Sequence, residues 1–192
     1  MSTRPQRPGT HTSQTKQKPS GPRLSEMLRV DHAGEFAAVA IYGAQAKVFG
    51  RSPKTITIAA QCTRMKDEEQ EHLDKFDTLL LENGSRPTVM LPFWKLASTA
   101  LGAGTALMSE KAAHACTEAV ESVIEKHYAE QIEETKDTNE ELCATFIQFR
   151  EDELRHHAFA IEEGAREALA YPLLTGFIKA GCRAAIKISE KI

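Results

Sequence analysis

The chain carries a repeated pattern of glutamates and histidines that could bind metal ions. In each half, one glutamate precedes a Glu-x-x-His motif, and the two halves have nearly equal spacing. The residues are Glu35, Glu69, His72, Glu121, Glu153 and His156. Carboxylate oxygens and imidazole nitrogens are common ligands of divalent transition metals. The pattern therefore predicts a site for two metal ions.

These polar residues lie on the apolar faces of predicted helices. In the predicted helix that contains Glu69 and His72, these two residues lie on the same face as Cys62, Met65 and Phe76, at spacings of three and four residues. Carboxylates buried without a partner are strongly disfavoured, so the cluster needs a compensating positive charge. One Glu from each of two helices and Glu-x-x-His from each of two others is the pattern of ferritin-like di-iron and di-manganese proteins. A site with four carboxylates and two imidazoles favours iron over zinc, and manganese is the alternative.

Helix-breaking residues divide the chain into four long predicted helices. The breaks fall at Gly50 and Pro53, at Asn83-Gly84, and at Pro172. The predicted helices cover residues 25–49, 54–82, 109–134 and 139–170. No segment shows the alternation of a β-strand, so we predict an all-α fold, a ferritin-like four-helix bundle.

Two further segments differ from the bundle helices. Residues 89–108 form an apolar crossover segment with Lys95 as its single charge, and residues 171–192 form a basic amphipathic helix. The basic residues of that helix lie four apart, at Lys179, Arg183, Lys187 and Lys191. The alternatives are a crossover helix packed on the bundle and a solvated terminal helix. Taken together, the two segments favour contact with a membrane surface.

Composition gives the domain organisation and limits the partners. Residues 1–23 are rich in Pro, Gly, Ser, Thr and basic residues, so we expect a disordered tail before one domain at 24–192. The 24 basic and 27 acidic residues give a formal charge of -3, which offers no support for a nucleic-acid partner. The four scattered cysteines form no CxxC pair, which favours a reducing compartment.

Several polar residues near the repeated motifs have other expected roles. Glu68 and Asp152 each lie four residues before a motif histidine and could orient an imidazole, or else form surface salt bridges. His157 points about 100 degrees around the helix from its neighbour, so we expect no metal contact. His32 and His114 show no comparable pattern and are assigned structural roles.

Longer stretches resemble one enzyme family, the demethoxyubiquinone hydroxylases of ubiquinone biosynthesis. The resemblance covers about residues 24–192 and rests on the segments LRVDHAGEFAAVAIYGAQ, DEEQEHLDKF, RPTVMLPFWKLASTALGAGTALMSEKAAHACTEAVESVIEKHYAEQI, FREDELRHHAFA and AGCRAAIKISEKI. It implies a monooxygenase that uses two iron ions and O2 to hydroxylate the ring of a polyprenylated demethoxyubiquinol. The family's six metal ligands correspond to the six residues named above. A matching His127-Tyr128 pair implies a role in electron or proton transfer, although Tyr128 also fits the core.

The lipid-soluble substrate implied by this resemblance gives the two unusual segments a purpose. We expect peripheral attachment to the cytoplasmic face of a bacterial cell membrane, or to the matrix side of the mitochondrial inner membrane in a eukaryote. The apolar surface also predicts a homo-oligomer, most simply a dimer.

Two other interpretations stay open at this point. The chain could be a different ferritin-like di-metal oxidoreductase or storage protein, or a non-catalytic lipid-binding scaffold. Metal content separates the scaffold from the enzymes.

Overall fold

The computed structural model describes residues 21–192, and this part of the chain is helical without a strand, which confirms the predicted all-α class. Its six α-helices are α1 (Pro22–Phe49), α2 (Ile56–Glu82), α3 (Leu91–Met108), α4 (Glu110–Thr135), α5 (Glu140–Glu162) and α6 (Tyr171–Ser189). Short 3-10 turns at Pro53–Thr55 and Ala165–Glu167 precede α2 and α6. The sequence predicts a disordered tail at residues 1–23. Residues 1–20 of this tail lie outside the part of the chain that the structure describes.

Two helix boundaries differ from the sequence prediction by three residues or more. Helix α1 begins at Pro22, near the first helical position where proline is tolerated, so Pro22 and Arg23 are helical. The Arg23 guanidinium bonds the Glu134 carboxylate at 2.6 Å, which attaches this end to α4. Helix α5 ends at Glu162 and not near Ala170, so that prediction was wrong. Gly164 takes a left-handed conformation with φ of 89°, which ends the helix.

The bundle consists of two helical hairpins. Helix α1 packs along α2, and α4 packs along α5. Between the hairpins lies an apolar cluster that includes the fully buried rings of Phe76, Phe146 and Tyr128. Phe149 joins this cluster and also stacks on the His72 imidazole with ring centroids 3.9 Å apart. The core therefore reaches directly to the polar residues predicted to bind metal.

Helices α3 and α6 lie on the outside of the α1 and α4 pair. Helix α3 packs mainly on α1, and α6 packs mainly on α4. Both helices expose large apolar side chains, among them Leu96 on α3 and Leu173 and Phe177 on α6. Within residues 21–192, no helix combines the length and hydropathy required to cross a bilayer.

Two polar contacts fix α6 in place. The Lys179 ammonium lies 3.1 Å from the buried carboxylate of Glu118 on α4. Lys179 therefore points toward the bundle and does not share the solvent-exposed position of Arg183. Near the other end of α6, the indole Nε1 of Trp94 on α3 donates to Ser189 Oγ at 3.1 Å. These contacts hold α3 and α6 as two walls over the same face of the bundle.

The contact between α1 and α3 depends on a glycine. A Cβ added at Gly102 would lie 2.3 Å from the backbone oxygen of Ile41, a distance that real Cβ contacts do not reach. Gly102→Ala should therefore lower the free energy of unfolding by about 1–3 kcal/mol, the usual cost of overpacking. Urea unfolding followed by circular dichroism measures this change.

Gly104→Ala is the matched control on the same helix, since nothing lies within 4 Å of a Cβ added there. It should stabilise the helix by up to about 1 kcal/mol because alanine has the higher helix propensity. Equal effects of the two substitutions would contradict the close approach of α3 to α1.

Candidate metal centre

All six predicted metal ligands meet in the centre of the bundle. Helices α1 and α4 contribute one glutamate each, and α2 and α5 contribute the Glu-x-x-His motifs. Ligand atoms within 4.8 Å of one another form two groups. The first contains Glu35, Glu69, His72 and Glu153, and the second contains Glu69, Glu121, Glu153 and His156. Glu69 and Glu153 belong to both groups, so they could bridge two metal ions.

Both imidazoles direct Nδ1 toward the shared glutamates. His72 Nδ1 lies 3.4 Å from Glu69 and 3.5 Å from Glu153. His156 Nδ1 lies 3.0 Å from Glu69 and 3.6 Å from Glu153. Because the histidines come from α2 and α5, the cluster connects the two hairpins across the core.

The cluster contains buried polar atoms that need a further partner. Both carboxylate oxygens of Glu69 and Glu153, and Nδ1 of His72 and His156, have no hydrogen-bond partner within the described part of the chain. Buried polar atoms are normally satisfied, so this concentration of exceptions at one point requires an explanation. A pair of divalent cations fits these donors because each would meet carboxylate oxygens and one imidazole nitrogen.

The electrostatics of the cluster favour bound positive charge. Burial raises the pKa of Glu35 and Glu121 well above the ordinary carboxyl value. Burial also disfavours the charged form of Glu69, but the adjacent His156 and His72 outweigh it and lower the pKa of Glu69 to about 2. Burial similarly opposes protonation of His156, yet Glu153 and Glu69 raise its pKa to about 12. The carboxylates thus favour positive charge at the imidazoles, and metal cations would supply such charge in the same place.

Two further carboxylates orient the imidazoles, as one of the sequence interpretations predicted. Asp152 on α5 lies 3.1 Å from Nε2 of His72 on α2. Glu68 on α2 lies 2.6 Å from Nε2 of His156 on α5. Each carboxylate therefore contacts the histidine of the opposite hairpin, not the one four residues after it. Glu68 and Asp152 also form ion pairs with Arg155, so both interpretations of these residues hold.

Two tyrosines contact the cluster, and the sequence analysis assigned a role to only one of them, Tyr128. The Tyr128 hydroxyl donates to Glu35, and the Tyr42 hydroxyl donates to Glu121. Each tyrosine follows one glutamate by seven residues but bonds the glutamate of the other helix. This repeated Glu-Tyr spacing was the signal that could have identified Tyr42.

His127, the other residue of the predicted catalytic pair, lies one step away from the ligands. Its Nε2 is 3.4 Å from Asp31 and 3.1 Å from the Gln131 amide nitrogen. That amide also donates to both oxygens of Asp31, at 2.9 and 3.0 Å. Burial favours the neutral form of His127, but Asp31 outweighs it and raises the pKa of His127 above its ordinary value. A role for His127 and Tyr128 in transfer stays a prediction.

The other predicted non-ligand histidines lie outside both metal groups. His157 Nε2 is 3.4 Å from Glu118, and His32 Nε2 is 3.0 Å from Asp77. His114 packs edge-on against the ring of Phe159. The structural roles expected of His32 and His114, and the absence of metal contact expected of His157, stay predictions.

A cavity of about 280 Å3 lies beside the cluster, between helices α1, α3, α4 and α6. Apolar residues such as Ile41, Leu101 and Ile178 form most of its wall. Glu35 and Tyr128 also line it. The cavity therefore extends from the exposed Phe177 on α6 to Glu35, one of the predicted metal ligands.

The fold and this site define a class of protein: a ferritin-like helical bundle with a buried, carboxylate-rich cluster that could hold metal ions. Comparison with protein families then identifies the particular family. Residues 22–189 match the family model described as "Ubiquinone biosynthesis protein COQ7", and the chain belongs to this family.

Named relatives share most of the chain. It is 45% identical over 172 residues to the rat "NADPH-dependent 3-demethoxyubiquinone 3-hydroxylase, mitochondrial", covering 88% of this chain and 77% of the relative. It is 44% identical over 169 residues to the Rhodospirillum rubrum "3-demethoxyubiquinol 3-hydroxylase", covering 88% and 78%. It is 40% identical to the Saccharomyces cerevisiae "5-demethoxyubiquinone hydroxylase, mitochondrial", with coverage of 88% and 78%.

Metal content tests the shared role of Glu153. Since Glu153 belongs to both ligand groups, Glu153→Ala should remove both metals and not one. We expect about two metal ions per wild-type chain, as in other bundles with this ligand pattern, and close to none in the variant. Elemental analysis after anaerobic loading with Fe(II) measures the ratio.

Glu151→Ala provides the control, because Glu151 is exposed on the same helix. It should bind metal as the wild type does. Full metal content in Glu153→Ala would show that the cluster is not the binding site.

Proposed function

We propose that this protein is an O2-dependent monooxygenase that uses two iron ions to hydroxylate the ring of a polyprenylated demethoxyubiquinol in ubiquinone biosynthesis. The observation that carries the proposal is the six-residue cluster with two shared glutamates, opening onto an apolar cavity. Membership of the family and the printed names of its relatives supply the reaction and the substrate class.

The residues of the cluster suit this chemistry. Iron held by them would supply the activation of O2, which side chains alone do not perform. Ring hydroxylation inserts one oxygen atom into a C–H bond and releases the other as water, so it consumes two electrons and two protons. The name of the rat relative indicates NADPH as an electron source for that protein. For this chain we infer a reduced nicotinamide or the quinol itself as the source.

The cavity suits a ring that carries an apolar chain. Its aliphatic wall excludes water from the side of the cluster where Glu35 and Tyr128 meet the open space. The Tyr128 hydroxyl holds the Glu35 carboxylate, so this ligand keeps its orientation while a substrate ring lies against it. A polyprenyl tail would leave the cavity between α3 and α6.

We also infer peripheral attachment to a membrane through α3 and α6. Phe177 and Leu173 are both 78% exposed, and Leu96 on α3 is 71% exposed. Arg183 and Lys187 are exposed on α6 and would meet anionic headgroups. The rat and yeast relatives are named mitochondrial, which supports a mitochondrial location if this chain is eukaryotic. The matrix side of the inner membrane, or the cytoplasmic face of the cell membrane in a bacterium, stays a prediction. The homo-oligomer stays a prediction.

Conversion of a short-chain demethoxyubiquinol tests the activity. The iron-loaded protein is supplied with 18O2 and with either NADPH or the chemically reduced substrate. It should give a hydroxylated product that carries one 18O atom. Mass spectrometry of the quinone extract measures the label. Glu153→Ala should give no product above the protein-free control, and Glu151→Ala should react like the wild type. An active Glu153→Ala variant, or label from water and not from O2, would contradict the proposal.

Vesicle binding tests the membrane surface. The double variant Leu173→Ser, Phe177→Ser should bind anionic phosphatidylglycerol vesicles at least about tenfold more weakly than the wild type, because two large apolar groups no longer enter the lipid. Co-sedimentation at low salt measures the bound fraction. Leu81→Ser is the control, since Leu81 is 82% exposed at the end of α2. If the wild-type protein did not bind these vesicles, the proposed membrane attachment would be wrong.

A further inference from the structure

The metal centre has two halves that correspond residue by residue. Glu35 and Tyr42 on α1 have the same spacing as Glu121 and Tyr128 on α4, and each tyrosine donates to the glutamate of the other helix. The crossed contacts of Glu68 and Asp152 repeat this relation on α2 and α5. In its ligands and their immediate partners, the centre is therefore nearly symmetric.

The cavity breaks this symmetry because it reaches one half only. Glu35 and Tyr128 line the cavity, whereas Glu121 and Tyr42 lie outside its lining. A molecule in the cavity would therefore meet the half built on Glu35 and His72. The half built on Glu121 faces the protein interior.

The residues on the cavity side also depart from the repeat. One turn before Glu35 lies Asp31, whereas Thr117 holds the corresponding place before Glu121. One residue before Tyr128 lies His127, whereas Ile41 precedes Tyr42. Asp31 and His127, the polar members of these two pairs, both line the cavity, whereas Thr117 lies outside its lining and Ile41 contributes only an apolar side chain to its wall.

Asp31 and His127 both line the cavity and contact each other. The Asp31 side chain is only 1% exposed, and the Gln131 amide holds both of its oxygens. Each carboxylate oxygen can accept more than one hydrogen bond, so Asp31 keeps capacity for another donor. Gln131 presents its nitrogen to Asp31 and leaves its own Oε1 without a hydrogen-bond partner in residues 21–192. The cluster is therefore arranged around a carboxylate that accepts hydrogen bonds at an apolar cavity wall.

Two other polar side chains of this wall donate their hydrogen bonds to residues of the protein. Tyr128 donates to Glu35, and Trp94 donates to Ser189. An aromatic ring with hydroxyl groups would bring donors into this space, and a buried acceptor is satisfied by such donors. A ring with carbonyl groups in the same places would present acceptors to a carboxylate, which is unfavourable.

We propose that Asp31, positioned by Gln131 and paired with His127, recognises a ring hydroxyl of the substrate and makes the cavity selective for the reduced quinol over the quinone. This inference rests on the proposed function, since it assigns the cavity to a quinol. It places the ring against the Glu35 half of the centre. Asp31 acts as a binding and positioning residue, and it holds no metal.

Anaerobic calorimetry of the iron-loaded protein tests the proposal with three ligands. They are a short-chain demethoxyubiquinol, its quinone, and an isoprenoid alcohol that lacks the ring. The wild type should bind the quinol at least tenfold more tightly than the quinone. Asp31→Asn should weaken quinol binding about tenfold, the loss of one hydrogen bond to a charged group, and leave the alcohol and the iron content unchanged. Thr117→Val, at the corresponding place of the other half, should change none of these values.

Trp94, the chain's single tryptophan, lies in the cavity wall and reports where the ligands bind. If no ligand changes its fluorescence in the wild type, the cavity assignment fails and the proposed function loses its substrate site. If the ligands bind there but Asp31→Asn keeps the preference for quinol, the role of Asp31 is wrong while the proposed function stands. Loss of alcohol binding and of thermal stability in Asp31→Asn would show a structural role and overturn the proposal. His127→Asn, which keeps the Asp31 carboxylate, should retain part of the quinol preference.

Discussion

Four carboxylates are buried side by side in the centre of the bundle, and their charge governs how the helices around them are arranged. Glu35, Glu69, Glu121 and Glu153 are each 2% exposed or less, and no hydrophobic packing could offset four uncompensated anions. Imidazoles and tyrosine hydroxyls converge on the same point, and the proposed metal cations would bind there. The bundle therefore has to bring four helices together at one level, with each helix turned so that one particular residue faces inward.

That requirement explains how the apolar core is distributed. The rings of Phe76, Phe146 and Phe149 fill the space on one side of the cluster and exclude water from His72. Helices α3 and α6 cover α1 and α4, which would otherwise expose their outer faces. The cavity lies between α1 and α4 on one side and α3 and α6 on the other. The packing that buries the charges therefore also provides the approach to them.

Sequence patterns predicted the class of fold, the six clustered residues and most helix boundaries. They succeeded because helical periodicity places residues on a common face regardless of the tertiary detail. They failed where the outcome depended on one backbone angle or on a contact between distant helices. Gly164 ended α5 early through a positive φ, and the Tyr42 contact with Glu121 joins helices far apart in sequence. The inward turn of Lys179 toward Glu118 likewise could not be read from the spacing of basic residues.

The two candidate ligand groups divide between the hairpins in a nearly symmetric way. The first group takes three residues from the first hairpin and Glu153 from the second, and the second group takes three from the second hairpin and Glu69 from the first. Neither hairpin alone holds a whole metal position, yet two copies of one hairpin related by a twofold axis would complete both. The two hairpins are thus related as the two subunits of a symmetric dimer would be. Two identical subunits would carry the same residue at both places, so only a single chain can hold Asp31 on one side and Thr117 on the other.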